Sequence, residues 1–230
     1  MHIAGFVKTA LREWEGENAC AILLSGCNFR CPYCNRPDLM FPSGESIGAE
    51  PILDYIKENR DFLEAVVISG GEPTVNGDLY KLIGRIKGLK VKVKLDTNGS
   101  NPDMLDDLAG AKLVDRVCMN VMAPLDPETY SKAAGVCVDT ETIKRSLKVL
   151  RDSGIPYDIR TVAVPGIITH DSFVRMLRDL DGSENMIIQQ FDNRAVTGPY
   201  AGTKPYPEAT LAEMAGTAKG CFRKVKIRGI

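Results

Sequence analysis

The chain has 230 residues, 44% of them hydrophobic, and carries 29 Lys and Arg against 30 Asp and Glu for a formal net charge of −1. A chain of this length buries a core of its own and falls where α/β barrels occur as one domain; its balanced charge offers no basic excess for nucleic acid or an anionic membrane surface. No apolar run approaches the roughly 20 residues of a membrane span, and the opening Met1-His2-Ile3-Ala4-Gly5 lacks the layout of a signal peptide, so a cytoplasmic protein is expected.

In chain order, the segment before residue 21, which includes Trp14, suits an N-terminal hairpin or strand. Six β-rich runs follow, at 21–25, 65–69, 91–95, 113–120, 155–164 and 186–190. Amphipathic runs at 47–60, 78–87, 102–108, 140–152 and 171–180 alternate with them, which predicts six βα-like units around a parallel sheet. Asp139 and Thr140 supply an N-terminal cap for the fourth helix and Gly154 its stop, while His170 and Asp171 precede the fifth. Residues 198–207, rich in Gly, Pro and Tyr, suit a long loop. Lys224 to Arg228 alternate like an edge strand. With no repeat or linker, the expectation is a single domain over 1–230, with a core at roughly 20–195 and a C-terminal extension at 196–230.

Seven cysteines form an odd set, and three crowd into Gly26-Cys27-Asn28-Phe29-Arg30-Cys31-Pro32-Tyr33-Cys34, directly after the first parallel strand. Thiols so placed lie at a strand's C-terminal end, the active face of parallel α/β barrels, and suit metal ligation in a reducing compartment. The other four, Cys20, Cys118, Cys137 and Cys221, read as small buried thiols. A closed zinc site needs a fourth ligand, and neither His2 nor His170 belongs to a local ligand layout. Cys20 stands at the far end of its strand. An iron–sulfur cluster held by three cysteines keeps one iron open, whereas an electron carrier takes four; the count favours chemistry.

The pattern C-x3-C-x2-C with Tyr33 before the last cysteine resembles the signature of the radical S-adenosylmethionine superfamily. The resemblance implies a partial (βα)6 TIM-like barrel and a 4Fe-4S cluster on Cys27, Cys31 and Cys34. It further implies reductive cleavage of S-adenosylmethionine to a 5′-deoxyadenosyl radical. Gly70-Gly71-Glu72-Pro73 follows the second parallel strand and resembles the family's GGE motif, so Gly70, Gly71 and Glu72 are carried over as contacts to the methionine amino group. Asp96-Thr97-Asn98-Gly99 resembles the turn of the activating enzymes for glycyl-radical proteins. Matches in the same order, among them Ala123-Pro124-Leu125-Asp126-Pro127, Val164-Pro165-Gly166 and Gln189-Gln190-Phe191, cover roughly residues 3–195 and are similar to anaerobic ribonucleotide reductase and pyruvate formate-lyase activating enzymes. By that resemblance Tyr33, Asp96, Asn98, Arg160, Val162 and Gln189 join the cofactor contacts.

Departures from the branch are specific. Asn120-Val121-Met122 stands where an Asp-x-Lys is usual, which leaves Asp96 alone to hold a monovalent cation and predicts a weakened or missing cation site. Asn35-Arg36 replaces His-Asn, and Glu13-Trp14-Glu15-Gly16 replaces D-Y-P-G. The implied substrate is a glycyl radical enzyme, and the implied reductant is a low-potential donor such as flavodoxin or ferredoxin. Two rival readings are a radical enzyme acting on a small molecule, like the deazaguanine synthases, and a non-enzymatic zinc or iron–sulfur module.

Overall fold

A computed structural model of the protein describes residues 1–229. Eight strands form one sheet in sequence order. The strand β1 (Ile3–Val7) runs antiparallel to β2 (Ala19–Leu24). Every later pair is parallel, through β3 (Ala65–Gly70), β4 (Lys92–Thr97), β5 (Arg116–Asn120), β6 (Tyr157–Ala163), β7 (Asn185–Gln190) and β8 (Lys224–Arg228). The connections carry α1 (Ala49–Glu58), α2 (Leu79–Gly88), α3 (Pro102–Gly110), α4 (Pro127–Ala134), α5 (Thr140–Ser153), α6 (His170–Asp179) and α7 (Glu208–Ala218). The result is a partial TIM-like barrel whose free edges are β1 and β8.

Strand alternation sorts the side chains into two environments. Val66, Ile68, Val93, Leu95, Val117, Met119 and Ile159 pack with the apolar stripes of the helices, including Ile52, Ile56, Leu82, Ile83 and Ile86, in one buried cluster. The opposite face of β2 and β3 is lined by small residues, Ala19, Ala21, Ala65 and Val67, which pack on Ala10 with Trp14 beside them. On β4 that same face continues with Lys94, the register partner of Val67, so the barrel interior becomes polar, as the site below shows.

The six parallel strands and five helices stand near their expected places, and β8 is the expected edge strand. Several particulars differ. The strand expected at 113–120 begins at Arg116, because Lys112 takes a left-handed conformation and turns the chain. The expected N-terminal hairpin is present as the β1–β2 pair, with Trp14 in its connection. α4 was not expected: Asp126 caps it by accepting from the Thr129 amide at 2.9 Å, with Pro127 at its first position, a start signal hidden in a motif match. α7 was also missed. Asp139 and Gly154 cap α5 as expected, whereas Thr169, not His170, caps α6. Of the scattered cysteines, Cys20 and Cys118 are buried but Cys137 and Cys221 are exposed, contrary to expectation.

Candidate active site

After β2 the chain turns at Gly26, whose φ of 96° favours glycine. The Gly26 and Cys27 amides donate to the carbonyls of Leu39 and Met40 at 2.9 and 3.0 Å, and the Arg30 amide donates to Ala134 at the end of α4 at 2.8 Å. A Cβ on Gly135, the left-handed cap of α4, would overlap the Arg30 carbonyl oxygen. Arg30 folds back, its guanidinium donating to the carbonyls of Cys27 and Phe29 at 2.5 and 2.7 Å. Cys27, Cys31 and Cys34 thus hang on one loop as free, partly buried thiols. Burial pushes the Cys31 thiol up to about 12, with the neighbouring Cys34 and Cys27 adding to the effect. Burial also raises Cys27 and Cys34. These groups stay protonated until a metal displaces the proton. Among the described residues no three His, Cys, Asp or Glu side chains close on the point a single ion would occupy. Three thiols spread along a loop fit a multi-iron centre, in which each binds a different iron.

The next loop is bolted to the first. The Gly71 amide donates to Leu24 and the Glu72 amide to Gly26, both at 2.8 Å. A Cβ on Gly70 would overlap the Leu24 carbonyl oxygen, and one on Gly71 would overlap that of Gly26, so the paired glycines serve close backbone approach. Glu72 is wholly buried. Its Oε1 accepts from the Thr74 amide (3.0 Å), the Thr74 hydroxyl (2.6 Å) and the Thr97 hydroxyl (2.7 Å), and its Oε2 accepts from the Asn98 amide (2.6 Å). Three of those bonds fall on Oε1 and one on Oε2, which keeps one acceptor direction. The side chain expected to meet a ligand's amino group also ties the β3 and β4 loops together. Burial raises its carboxyl pKa, against the pull of these four donors.

Asn98 continues the bridge, donating from Nδ2 to Asn28 Oδ1 at 3.0 Å, between the first two cysteines. Asp96 faces the barrel interior. Lys94 Nζ lies 3.0 Å from its Oδ1, and an Arg160 terminal nitrogen donates to its Oδ2 at 3.0 Å. Burial opposes ionisation of Asp96, but the charges of Arg160 and Lys94 prevail and hold its carboxyl below the usual range. Arg160 Nε also donates to Asn120 Oδ1 at 2.6 Å, and Asn120 Nδ2 donates to the Thr97 carbonyl at 3.3 Å. The one acidic group available for a cation therefore already faces two side-chain cations. Lys94, 2% exposed, was overlooked; the alternation of Lys92-Val93-Lys94-Leu95-Asp96 places it on the Asp96 face and could have revealed it.

Tyr33 is buried, donating from its hydroxyl to Met122 Sδ at 3.3 Å. Val162 and Gln189 are register partners on β6 and β7. Gln189 Nε2 donates to the Arg228 carbonyl at 3.3 Å, which ties it to the β8 edge and to none of the other candidate residues. The structure thus joins the three loops after β2, β3 and β4 and the Asp96–Arg160–Asn120 network, while Val162 lies two residues beyond Arg160 on the same face of β6 with Gln189 as its register partner.

A βα barrel bearing three metal-competent thiols at the C-terminal mouth of its strands defines the class of barrel enzymes that work through an iron–sulfur centre. The chain belongs to the radical SAM superfamily: the family profile matches residues 22–180. Its cofactors are accordingly a 4Fe-4S cluster and S-adenosylmethionine. A protein of Methanocaldococcus jannaschii named as a glycyl-radical enzyme activating enzyme is 30% identical over 236 aligned positions, covering 99% of this chain and 96% of that one. A Thermococcus kodakarensis protein named as a GTP 3′,8-cyclase is 34% identical over 116 residues, covering 50% of this chain and 37% of that one. Among solved structures, a radical SAM methyltransferase from Sphaerobacter thermophilus superposes with a TM-score of 0.71 at 16% identity, covering 91% of this chain and 66% of that one, a likeness of fold alone. No helix among the described residues is long and apolar enough to cross a membrane.

Proposed function

We propose that this enzyme is an activase that takes a hydrogen atom from a backbone glycine of a partner enzyme and leaves a glycyl radical there. The observation that carries the reading is the similarity, over nearly the full length of both chains, to a protein named as such an activating enzyme. When bound, the cluster and S-adenosylmethionine supply one-electron cleavage of a C–S bond and the carbon radical that follows.

This chain's own residues have three tasks. Cys27, Cys31 and Cys34 would hold three irons. The Gly70–Glu72 loop, bonded to the cysteine loop through the Gly71 and Glu72 amides, would meet the methionine amino group of the cofactor. Asn98 holds the β4 turn to the cysteine loop, and Asp96, paired with Lys94, orients Arg160. Tyr33, Val162 and Gln189 complete the proposed surroundings of the cofactor, and a flavodoxin or ferredoxin would deliver the electron.

A nucleotide substrate is less well served. A triphosphate calls for cations able to grip its oxygens, yet on the loops after β2 and β7 Arg30 is turned onto backbone carbonyls, Arg36 pairs with Asp38 at 2.8 Å and Arg194 with Asp192 at 2.6 Å.

Anaerobic reconstitution tests the proposal. Brown protein with about four irons, an EPR signal that shifts on adding S-adenosylmethionine, loss of iron in Cys27→Ser, Cys31→Ser or Cys34→Ser, and an organic radical doublet on an added glycyl radical enzyme are expected. Colourless protein with one zinc would overturn the cluster assignment. Deoxyadenosine formation that depends on a metabolite, with no radical on any partner, would replace the protein substrate by a small molecule.

A further inference from the structure

The two halves of the cysteine loop are held by different means. From Gly26 to Arg30 the backbone is bonded to Leu39, Met40 and Ala134. From Cys31 to Cys34, among the described residues, the one backbone bond is internal, from the Cys34 amide to the Cys31 carbonyl at 3.0 Å. Beyond the packing of Cys31 against the core, the Tyr33 side chain ties this second half to the rest of the protein. Its hydroxyl reaches Met122 after β5, and its ring meets Tyr200 edge to face with centroids 6.2 Å apart.

Tyr200 comes from the far side of the mouth, in the short turn Gly198–Tyr200 of the β7–α7 connection. That connection is braced so as to present it. Gln190 Nε2 donates to the Tyr206 carbonyl at 2.7 Å, Asn193 Nδ2 to the Thr203 carbonyl at 2.9 Å, and the Tyr206 hydroxyl to the Ile168 carbonyl at 3.1 Å. Gly198 enters the turn at a φ of 77°, with open space around it, so glycine there sets direction, not fit. Half-buried Tyr200 engages Tyr33 through its ring.

We propose that Tyr200 is a positioning residue: from across the barrel mouth it clamps Tyr33 and so holds Cys31 and Cys34 in place. Its functional meaning rests on the cluster reading above, but its geometry can be tested in metal-free protein. Iodoacetamide labelling with peptide mass mapping reports each thiol separately. Tyr200→Ala is expected to label Cys31 and Cys34 about fivefold faster than the wild type, the scale of one lost aromatic contact. Cys27 changes less and Cys137 stays constant, while Tyr200→Phe, which keeps the ring, matches the wild type. Unchanged labelling of Cys31 and Cys34 in Tyr200→Ala, a Phe variant as reactive as the Ala variant, or a general rise that includes buried Cys20 and Cys118 would each overturn the assignment. In reconstituted protein the reduced-cluster EPR line shape broadens in Tyr200→Ala and not in Tyr200→Phe. Failure of the wild type to bind iron would sink the cluster reading and leave the labelling result standing.

Discussion

Glu72→Gln is the sharpest probe of the frame around the cysteine loop, because it keeps shape and removes one acceptor oxygen and the charge. If the remaining oxygen keeps the three donors from Thr74 and Thr97, the new NH2 group points at the Asn98 amide, which now stands 2.6 Å from Oε2. Stranding a buried N–H costs about 1–3 kcal/mol, and loss of charge assistance in the other bonds adds to it. Relief of the buried charge offsets part, for a net loss of about 2–3 kcal/mol at neutral pH. With a urea m-value of about 3 kcal/mol per M, the unfolding midpoint of the metal-free protein falls by roughly 1 M. The pH dependence has a definite sign. The folded-state pKa of Glu72 lies above 4.5, so its contribution is full below 4.5 and declines as pH rises through the folded value, where the native state holds the extra proton. The Gln variant lacks that decline, and the gap between the two proteins narrows from pH 4.5 upward. A midpoint shift under about 0.2 M at all pH values would refute the claim that Glu72 is a structural tie.

Other expectations follow from the same geometry. Gly154 and Gly135 share a left-handed φ, 71° and 69°, but only Gly135 is crowded, by the Arg30 carbonyl; Gly154→Ala should cost about 1 kcal/mol in urea unfolding, and Gly135→Ala more than twice that with lowered iron uptake. Lys94→Met removes one partner of a buried pair and should cost about 3 kcal/mol, the low end for such a break because Arg160 remains. The same variant raises the Asp96 pKa, so stability held above the carboxylate range is lost at higher pH on acidification than in the wild type, as followed by circular dichroism. Turnover should be equal in potassium, sodium and choline buffers, since Lys94 and Arg160 already occupy Asp96; strong potassium activation would contradict this.

Much of this was legible in the sequence because the signals were local. Strand-like runs followed by Cys, Gly-Gly-Glu and Asp-Thr-Asn-Gly placed three loops on one barrel face, and those loops do meet. What was illegible depended on partners distant in the chain. The sequence offers the Glu72 carboxylate as an acceptor; that Thr74, Thr97 and Asn98 donate to it follows from the packing of β3 against β4. The role of Gly135 requires knowing that α4 ends on the cysteine loop, and α4 itself was masked because Asp126-Pro127 served as a motif match rather than a helix start. Cys137 and Cys221 were misjudged because an apolar neighbourhood in sequence does not dictate which side of an element faces water. Lys94 is legible as well, since period-two alternation along β4 sets it on the Asp96 face.

That lysine has a practical corollary. Its Nζ donates to the Glu13 carbonyl at 2.7 Å, so the turn before β2 is coupled, through a single ammonium and Asp96, to the guanidinium of Arg160 two strands away on β6. Trimming the first fifteen residues is therefore not a neutral engineering choice: it removes that bond beneath the barrel and also His2, whose carbonyl and ring both contact Ser25 just ahead of the cysteine loop.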